Sequence, residues 1–249
     1  MKNNWIIKTL IVWPLWICSI GSRENPPRFG DPAKGFALVE LYTSEGCSSC
    51  PPADELVGKL SGIKDNVIVL SYHVDYWDYL GWKDSYSNPL YSRRQQEYGN
   101  YFHLSSIYTP QIVVNGGTEF VGSNEAQLDQ AIHKALQEIP VTEIGLAIER
   151  ESNQISVTCK TEGDGDDQLN MVLVQKNASD FVQRGENHGK KLNHYFIVRD
   201  FQSQPGQAGS HIFSLKIPAG LHPADCLVVA FLQNKKTGHI IAASRSSLI

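Results

Sequence analysis

No nucleotide- or flavin-binding fingerprint occurs in the 249 residues, so any electrons this protein handles come from a partner or pass to one. The chain also lacks repeats and compositionally biased tracts, which excludes a solenoid or a disordered protein. Positive charge is not in excess. Twenty-two Lys and Arg face 26 Asp and Glu, a formal charge of −4, and this acidic balance excludes nucleic acid or anionic lipid as the main partner. The apolar stretch near the N-terminus, residues 9–20, falls short of the ~20 residues that span a bilayer. Cysteines number only five, yet two of them lie three residues apart. With 41% hydrophobic residues and 10% aromatics, what is present suffices for one large core or two ordinary ones, and two are expected.

Residues 1–21 read as a signal peptide. Lys2 and Lys8 mark its basic segment, residues 9–20 its apolar segment, and Ser19-Ile20-Gly21 puts small residues at the positions a signal peptidase checks. Cleavage after Gly21 is expected. Two alternatives are a retained anchor and lipidation at Cys18, where Leu15-Trp16-Ile17-Cys18 loosely resembles a lipobox, and membrane contact arises only through one of them. Export to the periplasm or beyond would place the other four cysteines in an oxidising compartment. Cys159 and Cys226 then either bridge the second domain or stay buried and free.

A linker over residues 22–34, with Pro26-Pro27 and Asp31-Pro32, leads into a domain spanning residues 35–139. Its strands are expected at 36–42, 67–74 and 108–114, with a return strand at 118–121 after the turn Asn115-Gly116-Gly117. Helices are expected from Pro52, over 89–101, and from the cap Asn124 to about 137. Beyond Pro140 the texture changes to alternating or apolar short runs at 144–148, 155–159, 169–174, 195–198, 212–217, 227–232 and 240–243. This spacing predicts an antiparallel β-sandwich over residues 140–249.

The most informative local feature is Cys47-Ser48-Ser49-Cys50-Pro51, placed where the first apolar strand gives way to a helix. Cysteines three apart close a small disulfide, and a helix start offers unpaired N–H groups that favour a thiolate at Cys47. Glu45 opposes that thiolate, and Ser48-Ser49 supplies no cation to help it.

Together with Tyr108-Thr109-Pro110 entering a strand that ends in Asn115-Gly116, this unit resembles the thioredoxin superfamily. The longer strings 40–54, 73–82 and 108–111 are similar to a secreted family of unknown function, DUF1223, over nearly all of the mature chain. The resemblance implies an α/β thioredoxin-like domain followed by an all-β antiparallel sandwich domain. It also implies a cis Pro110 beside the cysteines, with the Thr109 backbone pairing to an extended substrate.

On this reading Cys47 is the nucleophile, Cys50 the resolving thiol, and Glu40 a buried acid that handles the Cys50 proton. Tyr108, Thr109 and Trp77 form the substrate-binding surface. His73, Asp75 and Trp77 share one face if the second strand runs that far, giving a hydrogen-bonded histidine and an aromatic rim. Arg93-Arg94 reads as a solvated helix face, and residues 185–189 as a structural loop. The function expected is exported thiol–disulfide exchange without a cofactor, acting on a protein or small thiol or disulfide and served by a separate redox partner. The alternatives are soft-metal delivery, copper above all, through Cys47, Cys50 and His73, and a noncatalytic binding protein stapled by its CxxC disulfide.

Overall fold

The first two apolar runs form β1 (Ala37–Thr43) and β2 (Val67–His73), parallel neighbours buried along their whole length, with Ala37 opposite Val67 and Thr43 opposite His73. The computed structural model describes residues 35–60 and 66–248, together with Met1; the leader, Cys18 and residues 22–34 lie outside the described residues. After the cysteine turn comes α1 (Pro51–Gly58). The longer α2 (Pro89–Tyr101) starts on Asn88, whose side chain accepts the Leu90 N–H, and Pro89 sits in the first turn, where a missing donor costs nothing. β3 (Gln111–Val114) and β4 (Thr118–Val121) form a hairpin whose turn carries positive φ at Asn115 (48°) and Gly116 (64°). Only glycine fits at 116, because a Cβ there would stand 1.9 Å from the Gly238 carbonyl oxygen. Asn124 caps α3 (Glu125–Ala135) by accepting the Gln127 N–H.

Strands form in every run expected beyond Pro140: β5 (Gly145–Glu151), β6 (Gln154–Thr161), β7 (Asp167–Phe181), β8 (Lys191–Pro205), β9 (Gly209–Lys216), β10 (Cys226–Asn234) and β11 (Ile240–Ser247). They do not build a sandwich of their own. Four of them join the strands of the first half in one mixed eight-stranded sheet, ordered β11-β10-β7-β8-β2-β1-β3-β4, and β5, β6 and β9 make a separate three-stranded sheet. The expectation of a thioredoxin-like α/β domain followed by an all-β sandwich is therefore corrected: Pro32–Ile249 makes one compact unit, mostly β.

The physical reason lies in β7 and β10, which are apolar on both faces. Val172, Val174, Val229 and Phe231 enter the core that holds Leu41, Tyr42 and Tyr72, whereas Leu169, Met171, Leu173, Val228 and Leu232 enter a second core with Val157, Phe213 and Leu215 of the smaller sheet. Strands of this kind must be covered on both sides, and the first half supplies one of the covers. The seam between halves is the pairing of Ser71 on β2 with Ile197 on β8, reinforced by Ser71 Oγ donating to the Tyr195 carbonyl at 2.7 Å. At the far end Ile240 N–H donates to the Asn115 carbonyl at 2.8 Å, so the β3–β4 turn meets the start of β11.

Two local expectations also change. β2 stops at His73 and Asp75–Leu80 is a 3₁₀ segment, so His73, Asp75 and Trp77 do not share a strand face. Of the two arginines, Arg93 is exposed but Arg94 is buried, with its guanidinium bound to Glu40, Gln233 and Tyr98. Among the described residues no helix is long and apolar enough to cross a membrane.

Candidate disulfide site

Cys47 and Cys50 are joined in a disulfide across the turn between β1 and α1. Both are fully buried, while Ser48 and Ser49 between them are exposed. The helix start does not offer the donors expected of it. Pro51 and Pro52 carry no N–H, and the N–H groups of Ala53 and Asp54 are spent on the Cys50 carbonyl at 2.8 and 3.2 Å. Ser48 N–H is taken by Glu186 at 3.1 Å, and hydrogen bonding from the Ser48 side chain and then its backbone holds the Glu186 carboxyl below its usual range. What surrounds the turn is mainly negative charge.

Three remote segments converge here. Trp77 packs on the turn, where a Cβ at Gly46 would stand 2.9 Å from Trp77 Cβ, and its Nε1 donates to Thr109 Oγ1 at 2.8 Å. The Thr109–Pro110 peptide is cis. Pro110 is buried and, like Leu41 and Ala53, borders Gly122, where a Cβ would lie 3.0–3.2 Å from all three, which sets it near the first turn of α1. Tyr108 turns away, its hydroxyl donating to Glu119 and its carbonyl accepting from Gln95.

Glu40 lies elsewhere. It alternates with Leu41 and Thr43 along β1, and Thr43 Oγ1 donates to Asp54 of α1 at 2.9 Å, so Glu40 points to the opposite face of the sheet. There it pairs with Arg94 Nε at 2.7 Å and accepts from the Tyr98 hydroxyl. The acids beneath the cysteine turn are instead Glu45 and Asp54.

Sequence reasoning named His73 but passed over His194 and Asp84, which gather with it around those acids. The hairpin β7–β8 leaves regular strand geometry at Phe196 (φ 54°), and its outer arm lies along α1, where Asn193 and Tyr195 donate to Glu55. This arm delivers His194, whose Nε2 stands 3.2 Å from Glu45 Oε1 and whose Nδ1 stands 3.9 Å from Asp54 Oδ1. Burial would depress the His194 pKa, but Asp54 and Glu45 overcome it and raise the value to about 10. His73 packs edge-on against His194 with ring centroids 4.9 Å apart, and its Nδ1 meets Asp84 Oδ2 at 2.7 Å. Burial opposes the charge on Asp84, yet His73 and the N–H groups of Glu45 and Tyr86 hold its carboxyl below the usual range.

The loop at the hairpin tip, read as structural, is the cover of the site. Buried Asn187 donates both amide hydrogens, to the carbonyls of Glu45 and Cys47, each at 2.9 Å. A turn-rich segment with glycines at 185 and 189 was the available signal, but nothing in it named the partner.

Five buried atoms of the cluster make no hydrogen bond: Glu45 Oε1, Asp54 Oδ1, His73 Nε2 and both ring nitrogens of His194. An unpaired buried polar group costs about 1–3 kcal/mol, so several in one place call for an explanation. One donor atom from each of these residues lies within 4.8 Å of the others, and this grouping contains no cysteine, unlike the Cys47, Cys50 and His73 set considered from sequence. Cys159 and Cys226 are both buried and free, so no bridge joins them.

Comparison with known proteins gives a family without an assigned activity. A structural-genomics protein from Agrobacterium tumefaciens is 27% identical over 86% of this chain and 94% of its own, with a TM-score of 0.62. HBP35 of Porphyromonas gingivalis shares the fold at 18% identity and a TM-score of 0.60, covering 87% of this chain and 76% of its own. No curated protein matches. The family described as "Protein of unknown function (DUF1223)" matches residues 38–233, and the chain therefore belongs to that family.

Proposed function

We propose that this is an exported thiol–disulfide redox protein working through Cys47 and Cys50. The observation that supports it is the gathering of the cysteine turn, Trp77 and Thr109–Pro110 at one end of the sheet around a local disulfide. In the reducing direction the Cys47 thiolate attacks a substrate disulfide, forming a mixed disulfide and releasing one substrate thiolate. Cys50 then attacks the Cys47 sulfur, releasing the second substrate thiol and restoring the Cys47–Cys50 bond, so two electrons pass from the dithiol to the substrate. The substrate is a protein or a small disulfide, and a separate redox partner regenerates the dithiol. Export rests on the leader of residues 1–21.

The buried sulfurs mean that the tip loop must open before a substrate reaches Cys47. The same burial favours a second reading, in which the disulfide is a structural staple. An anaerobic redox titration of the full chain, followed by mass spectrometry of alkylated thiols, separates the two. Thiol–disulfide exchange requires reversible reduction of the pair without loss of the fold, faster labelling at Cys47, and mixed disulfides trapped by Cys50→Ser but not by Cys47→Ser. Reduction only on unfolding, or equal labelling, would leave the staple reading in possession.

A further inference from the structure

We propose that Asp54, His73 and His194 form a binding site for a divalent transition-metal ion, next to the disulfide but independent of its sulfurs. All three side chains are at least nine-tenths buried; Asp54 and His73 are each anchored by a hydrogen bond through one atom with another left over, and neither ring nitrogen of His194 makes one. Asp54 uses Oδ2 on Thr43, His73 uses Nδ1 on Asp84, and His194 sets Nε2 against Glu45. Among the atoms left over, Asp54 Oδ1, His73 Nε2 and His194 Nδ1 belong to the residues whose donor atoms group within 4.8 Å.

A carboxylate on the far nitrogen of each imidazole is the arrangement that fixes a ligating histidine's tautomer and aims its lone pair at a metal. Direct pairing does not account for the geometry, because Asp54 Oδ1 and His194 Nδ1 stand 3.9 Å apart, beyond hydrogen-bond range. An ion bound at about 2.0–2.2 Å holds its donors about 3.4 Å apart, so this pair closes by about half an ångström on binding. Three buried carboxylates, Asp54, Glu45 and Asp84, supply negative charge for a cation, and an ion bound here takes the place of the proton that His194 holds between Asp54 and Glu45, releasing it to solvent. Two nitrogens and one oxygen select zinc, cobalt or ferrous iron. Calcium and magnesium prefer all-oxygen sites, and cuprous copper prefers thiolates.

The full chain, with its disulfide intact and no reductant present, is titrated with Co²⁺ and, by calorimetry, with Zn²⁺. The expected result is one ion per chain with visible ligand-field bands, a raised Tm, and affinity lowered at least 100-fold in Asp54→Asn and in His73→Ala. Exposed His133→Ala binds as the parent does. Asp84→Asn leaves every ligand in place and, with the fold retained by circular dichroism, weakens binding at least tenfold; this variant decides the matter should the ligand variants unfold. Absence of a stoichiometric cobalt spectrum in the parent protein, or unchanged affinity in Asp84→Asn and Asp54→Asn, overturns the proposal.

Discussion

Arg94 holds a full charge inside the core because Glu40, Gln233 and Tyr98 accept from its three nitrogens and the rings of Tyr72, Tyr98, Phe201 and Phe231 lie 5.1–5.7 Å from its guanidinium carbon. Removing one partner of such a pair strands the other. Arg94→Met is expected to cost about 3–5 kcal/mol in urea unfolding, and Arg94→Met with Glu40→Leu to cost clearly less than the single change, since both buried charges then go. A loss below about 1 kcal/mol in the single variant would show that water reaches Glu40. Cys159 is a second test at this scale. Burial pushes its thiol from 9.0 up to about 12, so native protein at pH 8 should leave it unalkylated. Between those two values only the folded chain keeps the proton, so stability falls as pH rises through that window, and Cys159→Ala should lessen the fall in alkaline denaturation curves.

Among the elements, the β7–β8 hairpin does the most for the site. Its arm brings His194 to the acids under the turn, and its tip ties down the turn through Asn187 and Glu186. Asn187→Ala removes two hydrogen bonds to buried carbonyls, at a cost of about 1–3 kcal/mol. It should speed reduction of the disulfide by dithiothreitol several-fold under native conditions, measured by quenched alkylation. An unchanged rate would mean that the tip loop does not limit access. The helix start contributes less than its position suggests, because two prolines and two committed N–H groups leave little to stabilise a thiolate.

Across the whole molecule, the continuous sheet implies interdependence of the two halves. Residues 35–139 alone would expose the edge of β2 that pairs with β8 and the apolar face now covered by Val172, Val229 and Phe231. That fragment should fail to give a cooperative thermal transition, whereas residues 32–249 should melt as one unit by calorimetry. A fragment that melts cooperatively would restore the independent domain expected from sequence.

The strands, helices, caps and the Asn115-Gly116 turn were legible because local signals carry them: apolar period, a capping side chain, a residue tolerant of positive φ. The cysteine pair and its place at a strand-to-helix turn were legible for the same reason. Even the shared sheet left a trace, since Met171–Val174 and Leu227–Leu232 are apolar without alternation, as strands covered on both faces require. One of their two covers, however, comes from the first half of the chain, and local pattern does not name a distant partner. Tertiary structure alone decided that Glu40 pairs with Arg94 across the sheet from α1, that His194 meets Glu45 and Asp54, and that Asn187 closes over Cys47. Each of these is a contact between residues far apart in the chain, and such contacts exist only once the sheet has set which faces meet.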